Sequence, residues 1–405
     1  MSYKAYAQVL DWGGHVTKMI VAMGEEVSSV SAEDFLIHVQ KIDKETGLIA
    51  MTAKSFFKPN DKVPAVGSMT VKKAYPCDEN GNETASSDLV ALETNYGPMY
   101  PYSAIAYQKN GYTTFADCRY TVRYQGEVIA NRGELILEGK ELVETGVSEA
   151  GLNYAFVRPQ LNNPKPPMII WLHGAGEGGW DPYIAILGNK VINLAYPTIQ
   201  SYFGGAYVFA PQCKTMWMDN GSGQYTRTGK SMYTTALMDT IKEFVAAHPE
   251  IDQNRIYIGG CSNGGFMTVR MIIDFPEYFA GAYPICEALY DETISDADIE
   301  HIKNLPIWFT HAQVDTIVPP NETAVPTYKR LIAAGAENVH FSYYERVLDQ
   351  TGLFKKPDGT PFEYFGHGSW IYTLNNDCKL DFDGTPVLLN GEPTTIFQWL
   401  AAQHK

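Results

Sequence analysis

Two candidate nucleophiles, Cys261 and Ser262, stand side by side between glycines in the stretch RIYIGGCSNGGFMTV, Arg255–Val269. A thiolate is intrinsically reactive, whereas a serine hydroxyl attacks only when a neighbouring base takes its proton. Gly260-Cys261-Ser262-Asn263-Gly264 fits G-x-S-x-G, with an apolar strand-like run before it and the helical pattern NGGFMTVRMIID over its end. That is the context of a sharp strand-to-helix turn with a serine at its apex. The glycines two residues to either side then have a steric task, because a side chain there would collide across the turn. Cys261 precedes the apex and should turn back into the core as a small buried apolar residue. Ser262 is therefore the expected nucleophile.

An activated serine needs a histidine, and the histidine needs an acid to orient it. In this arrangement the acid follows the serine in the chain and the histidine follows the acid. Of the histidines far enough downstream, His340 lies within the strand pattern VHFSYY and His404 is the penultimate residue. His367 sits instead in the glycine-flanked loop YFGHGSW. In PIWFTHAQVDTIVPP, Asp315 comes just after a strand and before prolines, whereas Asp291, Asp296 and Asp298 belong to a polar acidic stretch that reads as solvated surface. About fifty residues separate Ser262 from Asp315, and Asp315 from His367, which leaves room for one strand–helix unit each. Ser262, Asp315 and His367 are the expected catalytic set.

Such a set also needs hydrogen-bond donors for the anionic oxygen of a tetrahedral intermediate. One donor is expected from the backbone N–H of Asn263, the residue after the nucleophile. The second is expected from the loop in MIIWLHGAGEGGW, where the N–H groups of Gly174, Ala175 and Gly176 are candidates and Ala175 is favoured. His173 is expected to hold this loop by hydrogen bonds. Glu177 either orders the loop through a salt bridge or touches substrate. The glycines of HGAGEGG match neither the phosphate-binding G-x-x-x-x-G-K-[ST] nor the dinucleotide-binding G-x-G-x-x-G pattern, so no nucleotide is expected.

Two stretches of different character carry these residues. Over residues 1–132 the pattern is strand-like: in DFLIHVQ, Phe35, Ile37 and Val39 alternate with Leu36 and His38, and turn formers such as DENGNE separate the β-rich runs. Short strands with regular turn signals indicate a β-sandwich. Over residues 133–405 apolar strands (PMIIWLH, AYVFAP, RIYIGG, AGAYPI, PIWFTH, VHFSYYE) alternate with helical runs. In one of these, Leu237, Ile241, Phe244 and Val245 share a face. The expectation is an α/β domain whose mostly parallel sheet is covered by helices on both faces.

The chain has 405 residues, of which 45% are hydrophobic and 19% charged, enough to bury a large core. A formal net charge of −15 repels nucleic acid and anionic membranes, and neither is expected as a partner. There is no apolar run of the roughly 20 residues that a membrane span needs. The start, MSYKAYAQVLDWGG, lacks the apolar region of a secretory signal. The expected location is therefore cytoplasmic, or exported with its signal already removed. Six thinly spread cysteines without CxxC spacing argue against structural zinc and against a dense disulfide framework.

LHGAGEGG, APQC at Ala210–Cys213, GGCSNGG, VDTIVPP and GHGSW together resemble the α/β-hydrolase superfamily. More narrowly they resemble bacterial esterases with an N-terminal immunoglobulin-like domain, relatives of prolyl-oligopeptidase and polyhydroxybutyrate-depolymerase-like hydrolases. The segment VTKMIVAMGEEV…SAEDFLIHV is similar to the opening of that immunoglobulin-like domain. The resemblance implies a serine esterase acting on small-molecule esters through Ser262, Asp315 and His367, without a metal or organic cofactor, and in some members an oligomer. Trp217, Trp180 and Trp370 lie near the expected cleft, either as substrate contacts or as wall packing.

Two other functions compete with this one. A peptidase of the prolyl-oligopeptidase type would carry a β-propeller of roughly 300 residues, and the β half here offers less than half of that without a repeat. A binding protein with a dead hydrolase scaffold would not keep all three candidate catalytic residues. The β half itself is open to polymer binding, shielding of the site, or self-association into a homo-oligomer.

Overall fold

The computed structural model describes residues 2–44, 46–55, 58–98, 100, 103–107 and 111–405. The chain packs as two compact units, one taking in residues up to 108 and from 113 to 141, the other 109–112 and 142–405.

In the first unit the strands run β1 (Ser2–Leu10), β2 (Gly13–Val27), β3 (Phe35–Ile42), β4 (Met51–Ser55), β5 (Lys58–Pro64) and β6 (Val66–Pro76). They continue as β7 (Ser87–Thr94), β8 (Ile105–Tyr107), β9 (Thr113–Phe115), β10 (Asp117–Tyr124), β11 (Glu127–Ala130) and β12 (Arg132–Leu137). Eight of them form the order β11-β10-β3-β6-β7-β2-β1-β12. Strand β6 pairs with β3 near its start and with β7 from Val71 onward, so one strand joins the two layers of an immunoglobulin-like sandwich. Alternation fills the space between the layers: Phe35, Ile37 and Val39 are buried on β3, and Cys118, Tyr120 and Val122 on β10. The expected boundary at residues 132/133 falls inside this unit. Strand β12 pairs in parallel with β1 from Ser2↔Arg132 to Ala7↔Leu137, which carries the sandwich to Glu141.

In the second unit the strands are β13 (Val143–Val147), β14 (Asn153–Val157), β15 (Met168–Leu172), β16 (Tyr207–Gln212), β17 (Ile256–Cys261), β18 (Gly281–Ile285), β19 (Ile307–Ala312) and β20 (Val339–Tyr344). Their order is β13-β14-β16-β15-β17-β18-β19-β20. The first three are joined by antiparallel pairings, and every pairing from β16 to β20 is parallel. Every residue of β15 to β19 is buried, which explains their uninterrupted apolar runs. Helix Thr234–Ala247 turns Leu237, Ile241, Phe244 and Val245 into the core, as its spacing implies. Among the described residues no helix is long and apolar enough to cross a membrane.

After β15 the chain adds β16 on one side, then crosses to add β17 on the other. Such a reversal opens a crevice at the carboxyl ends of the two strands, and here those ends carry His173 and Ser262. The strands close on one another because glycine leaves room: a Cβ on Gly260 or on Gly264 would overlap the Leu172 carbonyl oxygen. Gly335 differs, with φ +87° beyond helix Ala324–Ala333 and open space around it. In thermal or urea melts, Gly264→Ala should therefore lose about 3 kcal/mol or more, because backbone must move. Gly335→Ala should lose only about 1 kcal/mol, from its left-handed backbone alone. Equal losses would overturn the steric account of the turn.

Candidate active site

Ser262 follows β17 directly, with φ 58° and ψ −114°, a conformation that L-residues rarely adopt. It is held from both sides: its N–H donates to the Ile285 carbonyl at 2.9 Å, and its carbonyl accepts from the Phe266 N–H at 2.9 Å. Helix Asn263–Asp274 starts immediately afterwards. Cys261 is 2% exposed, and burial pushes its thiol well above the ordinary range, so it is an inert core residue.

The three residues selected by spacing come together. His367 Nε2 lies 2.8 Å from Ser262 Oγ, and His367 Nδ1 lies 2.7 Å from Asp315 Oδ2. The Asp315 loop leaves the end of β19, and its Oδ1 accepts from the N–H groups of Ile317 and Val318 at 2.9 and 3.0 Å. Burial alone would raise the Asp315 carboxyl. The hydrogen bonds from His311 and His367, with that of Val318, outweigh burial and hold it well below the usual carboxylate range. The His367 loop packs on the acid loop at Gly366, where a side chain would strike the Val314 carbonyl. Trp370, half-buried at the start of helix Trp370–Leu374, sets its ring edge-to-face with His367 at 5.6 Å. His340 is occupied elsewhere, with its Nδ1 2.7 Å from Asp381 Oδ2, and His404 is exposed.

The loop after β15 is fixed by five hydrogen bonds. His173 Nε2 accepts from the Cys213 N–H at 3.2 Å, which assigns the ring proton to Nδ1, and Nδ1–H donates to the Gly174 carbonyl at 2.7 Å. Gly174 N–H donates to Glu177 Oε2 at 2.8 Å. Gln212 Nε2 donates to the Glu177 carbonyl at 2.8 Å, and Gly179 N–H to the Cys213 carbonyl at 2.9 Å. Burial pushes the His173 imidazole down to about 4, so it stays neutral. Gly174 leaves the set of candidate oxyanion donors, because its single N–H is already engaged by Glu177. Ala175 opens the short turn Ala175–Glu177 and Asn263 opens its helix, and a first helical N–H has no acceptor within its own element. Gly176 is the middle residue of the same turn.

The tryptophans part company. Trp217 is fully buried against His173 and Tyr233, with its backbone N–H donating to Asn263 Oδ1. Its side chain thus forms wall. Trp180 is 69% exposed beyond the glycine loop. Among the described residues no cluster of His, Cys, Asp or Glu is arranged to hold a metal ion.

Two buried groups here escaped the sequence reading. His311, the penultimate residue of β19, puts its Nε2 2.9 Å from the same Asp315 Oδ2 that His367 uses. Its signal is a histidine closing the apolar strand PIWFTH four residues before the acid, a position that the chain order of acid then histidine passes over. Glu287 follows β18 and is 1% exposed; its Oε2 accepts from the Leu289 N–H, and its Oε1 has no partner among the described residues.

Family models match both units: "Esterase Ig-like N-terminal domain" over residues 2–137 and "Phospholipase/Carboxylesterase" over 153–351. A poly(3-hydroxyalkanoate) depolymerase C of Paucimonas lemoignei is 31% identical over 133 residues, 31% of this chain and 28% of that protein. An acyl-protein thioesterase 1 of Cryptococcus neoformans var. neoformans serotype D is 24% identical over 160 residues, 37% of this chain and 66% of that protein. The chain thus spans less than two thirds of either relative. A crystal structure of a thermostable esterase shares the fold over the full length of both chains, with a TM-score of 0.73 and 24% identity.

Burial raises the carboxyls of Glu177 and Glu287 from the ordinary value of 4.5 to about 7 and about 8. In the unfolded chain both ionise at the ordinary value, so they weaken the fold progressively as pH rises from about 4.5 to about 8, and fully above it. Glutamine keeps an acceptor for Gly174 and Leu289 but cannot ionise. Relative to the wild type, a Glu177→Gln, Glu287→Gln variant should therefore gain stability between pH 5 and pH 8, on the order of a few kcal/mol. A constant difference between the two melting curves across that range would refute the assignment.

Proposed function

Because the chain belongs to the α/β-hydrolase superfamily and carries an esterase immunoglobulin-like N-terminal domain, we propose that it is a serine carboxylesterase acting on modest-sized carboxylic esters through an acyl-enzyme. The observation that carries this reading is the unbroken hydrogen-bonded line from Ser262 Oγ through both nitrogens of His367 to Asp315.

In the proposed mechanism Ser262 Oγ attacks the ester carbonyl while His367 Nε2 accepts its proton. Asp315, already ionised, holds the ring by Nδ1 and stabilises the imidazolium that forms. The carbonyl oxygen gains negative charge and is met by the N–H groups of Asn263 and Ala175. His367 then returns the proton to the leaving alkoxide. A water activated by the same Nε2 attacks the acyl-enzyme and releases the acid. Both N–H donors belong to backbone that is fixed before substrate arrives, so little reorganisation accompanies the developing charge.

Initial rates should be measured on p-nitrophenyl esters of increasing acyl length, feruloyl and acetylated-sugar esters, and peptide p-nitroanilides. We expect ester turnover without comparable anilide turnover. Ser262→Ala and His367→Ala should each lower kcat by about a thousandfold or more while the fold persists. His340→Ala should retain most of the rate, because its ring serves Asp381. Anilide cleavage matching ester cleavage would make the protein a peptidase, and no turnover at all would make it a catalytically dead scaffold.

A further inference from the structure

We propose that His311 is a positioning residue for the Ser262–His367 pair: its Nε2–H fills one lone pair of Asp315 Oδ2 and leaves the other aimed at His367 Nδ1. This rests on the reading of His367 as the base for Ser262.

The geometry fixes the state of the His311 ring. Its side chain is fully buried, and Nε2 faces two acceptors, Asp315 Oδ2 at 2.9 Å and the Val318 carbonyl at 3.2 Å. Nε2 therefore carries the proton. Nδ1 is buried with no hydrogen-bond partner among the described residues. A second proton there would sit on a desolvated N–H without an acceptor. Burial also lowers the affinity of His311 for that proton, although Asp315 pulls the other way. His311 thus donates to the carboxylate without bringing a positive charge to compete with an imidazolium on His367.

Asp315 is consequently held by four donors, the Ile317 and Val318 N–H groups on Oδ1 and the two histidines on Oδ2. A carboxylate oxygen offers two lone pairs, so both sites on Oδ2 are taken and the group cannot turn. Val318 is gripped twice, through its N–H by Asp315 and through its carbonyl by His311, which ties the acid loop to the strand it leaves. Cys286, just past β18, is a further titratable group that interacts with Asp315; burial pushes its thiol well above the ordinary range, so it stays neutral. The charge that His367 meets is then set by how many donors share Asp315.

Glutamine at 311 can place an N–H where Nε2 stands, whereas asparagine reaches only as far as Nδ1. On p-nitrophenyl butyrate we expect His311→Asn to lower kcat on the order of tenfold to a hundredfold, with KM within about twofold. With one donor fewer, Asp315 keeps more charge for the imidazolium, so the acid limb of kcat/KM should move to higher pH in that variant. His311→Gln should restore both kcat and the profile. Equal impairment of the two variants, or a wild-type profile in His311→Asn, would overturn the proposal. Should neither variant fold, histidine-labelled wild type decides it by NMR. A neutral Nε2–H tautomer of His311 throughout pH 5 to 9 supports the proposal, and an Nδ1–H form or titration in that range sinks it. Ester turnover surviving Ser262→Ala would instead remove the serine mechanism and leave the tautomer result standing.

Discussion

The arrangement of the second unit depends on one close approach, that of the Leu172 carbonyl to the backbone at Gly260 and Gly264. With no side chain on either glycine, the end of β15 can lie directly against the turn out of β17. Ser262 then sits at the apex with φ 58°, a conformation that costs about 1–3 kcal/mol and persists only where its surroundings over-determine it. The hydrogen bonds to Ile285 and Phe266 supply that constraint. The same contact brings the loop beginning at His173 beside the first turn of helix Asn263–Asp274. Strain at the serine and proximity of the two loops are thus consequences of one steric fact.

Around that contact, polar groups are buried and most are satisfied. His173 and Gln212 anchor the glycine loop, and Asp315 takes four donors. Burying them would be unfavourable if they were unpaired; paired, they hold backbone N–H groups and one imidazole in fixed positions, in a medium where dipoles act strongly on developing charge. Glu177 and Glu287 run against this pattern, because among the described residues neither has a positive partner and burial raises both. Glu177 offsets part of that cost by accepting from Gly174 N–H, which sets the direction of the turn that follows.

Much of this was legible in the sequence because it depends on steric rules that act locally. The glycine spacing around Ser262, the order of acid and histidine, and the burial of Cys261 follow from the shape of one turn and one sheet. What was not legible depends on the third dimension. Nothing in HGAGEGG says that the Gly174 N–H is turned to Glu177 and not to a substrate. CKTMWMDN does not reveal that Trp217 packs under His173 while only its backbone serves Asn263. The first unit runs past the expected boundary because pairing of β12 with β1 joins residues more than 120 positions apart, and no local pattern records it.

Four histidines of the second unit make the same point chemically, since the residue type alone does not say what each can do. His173 has both nitrogens committed to backbone, Nδ1 to Gly174 and Nε2 to Cys213. His311 has one nitrogen on Asp315 and Val318 and the other enclosed without a partner among the described residues. His340 lies between Trp308 and Trp399 with Nδ1 on Asp381. Of the four, His367 alone links a carboxylate at one nitrogen to a hydroxyl at the other, and only such a ring can take a proton from that hydroxyl while its new charge is met from behind. The other three are neutral or tethered parts of the frame. What separates the proposed base from the braces is therefore the pair of partners on each ring, and those partners are assigned by the loops that the Leu172 contact brings together.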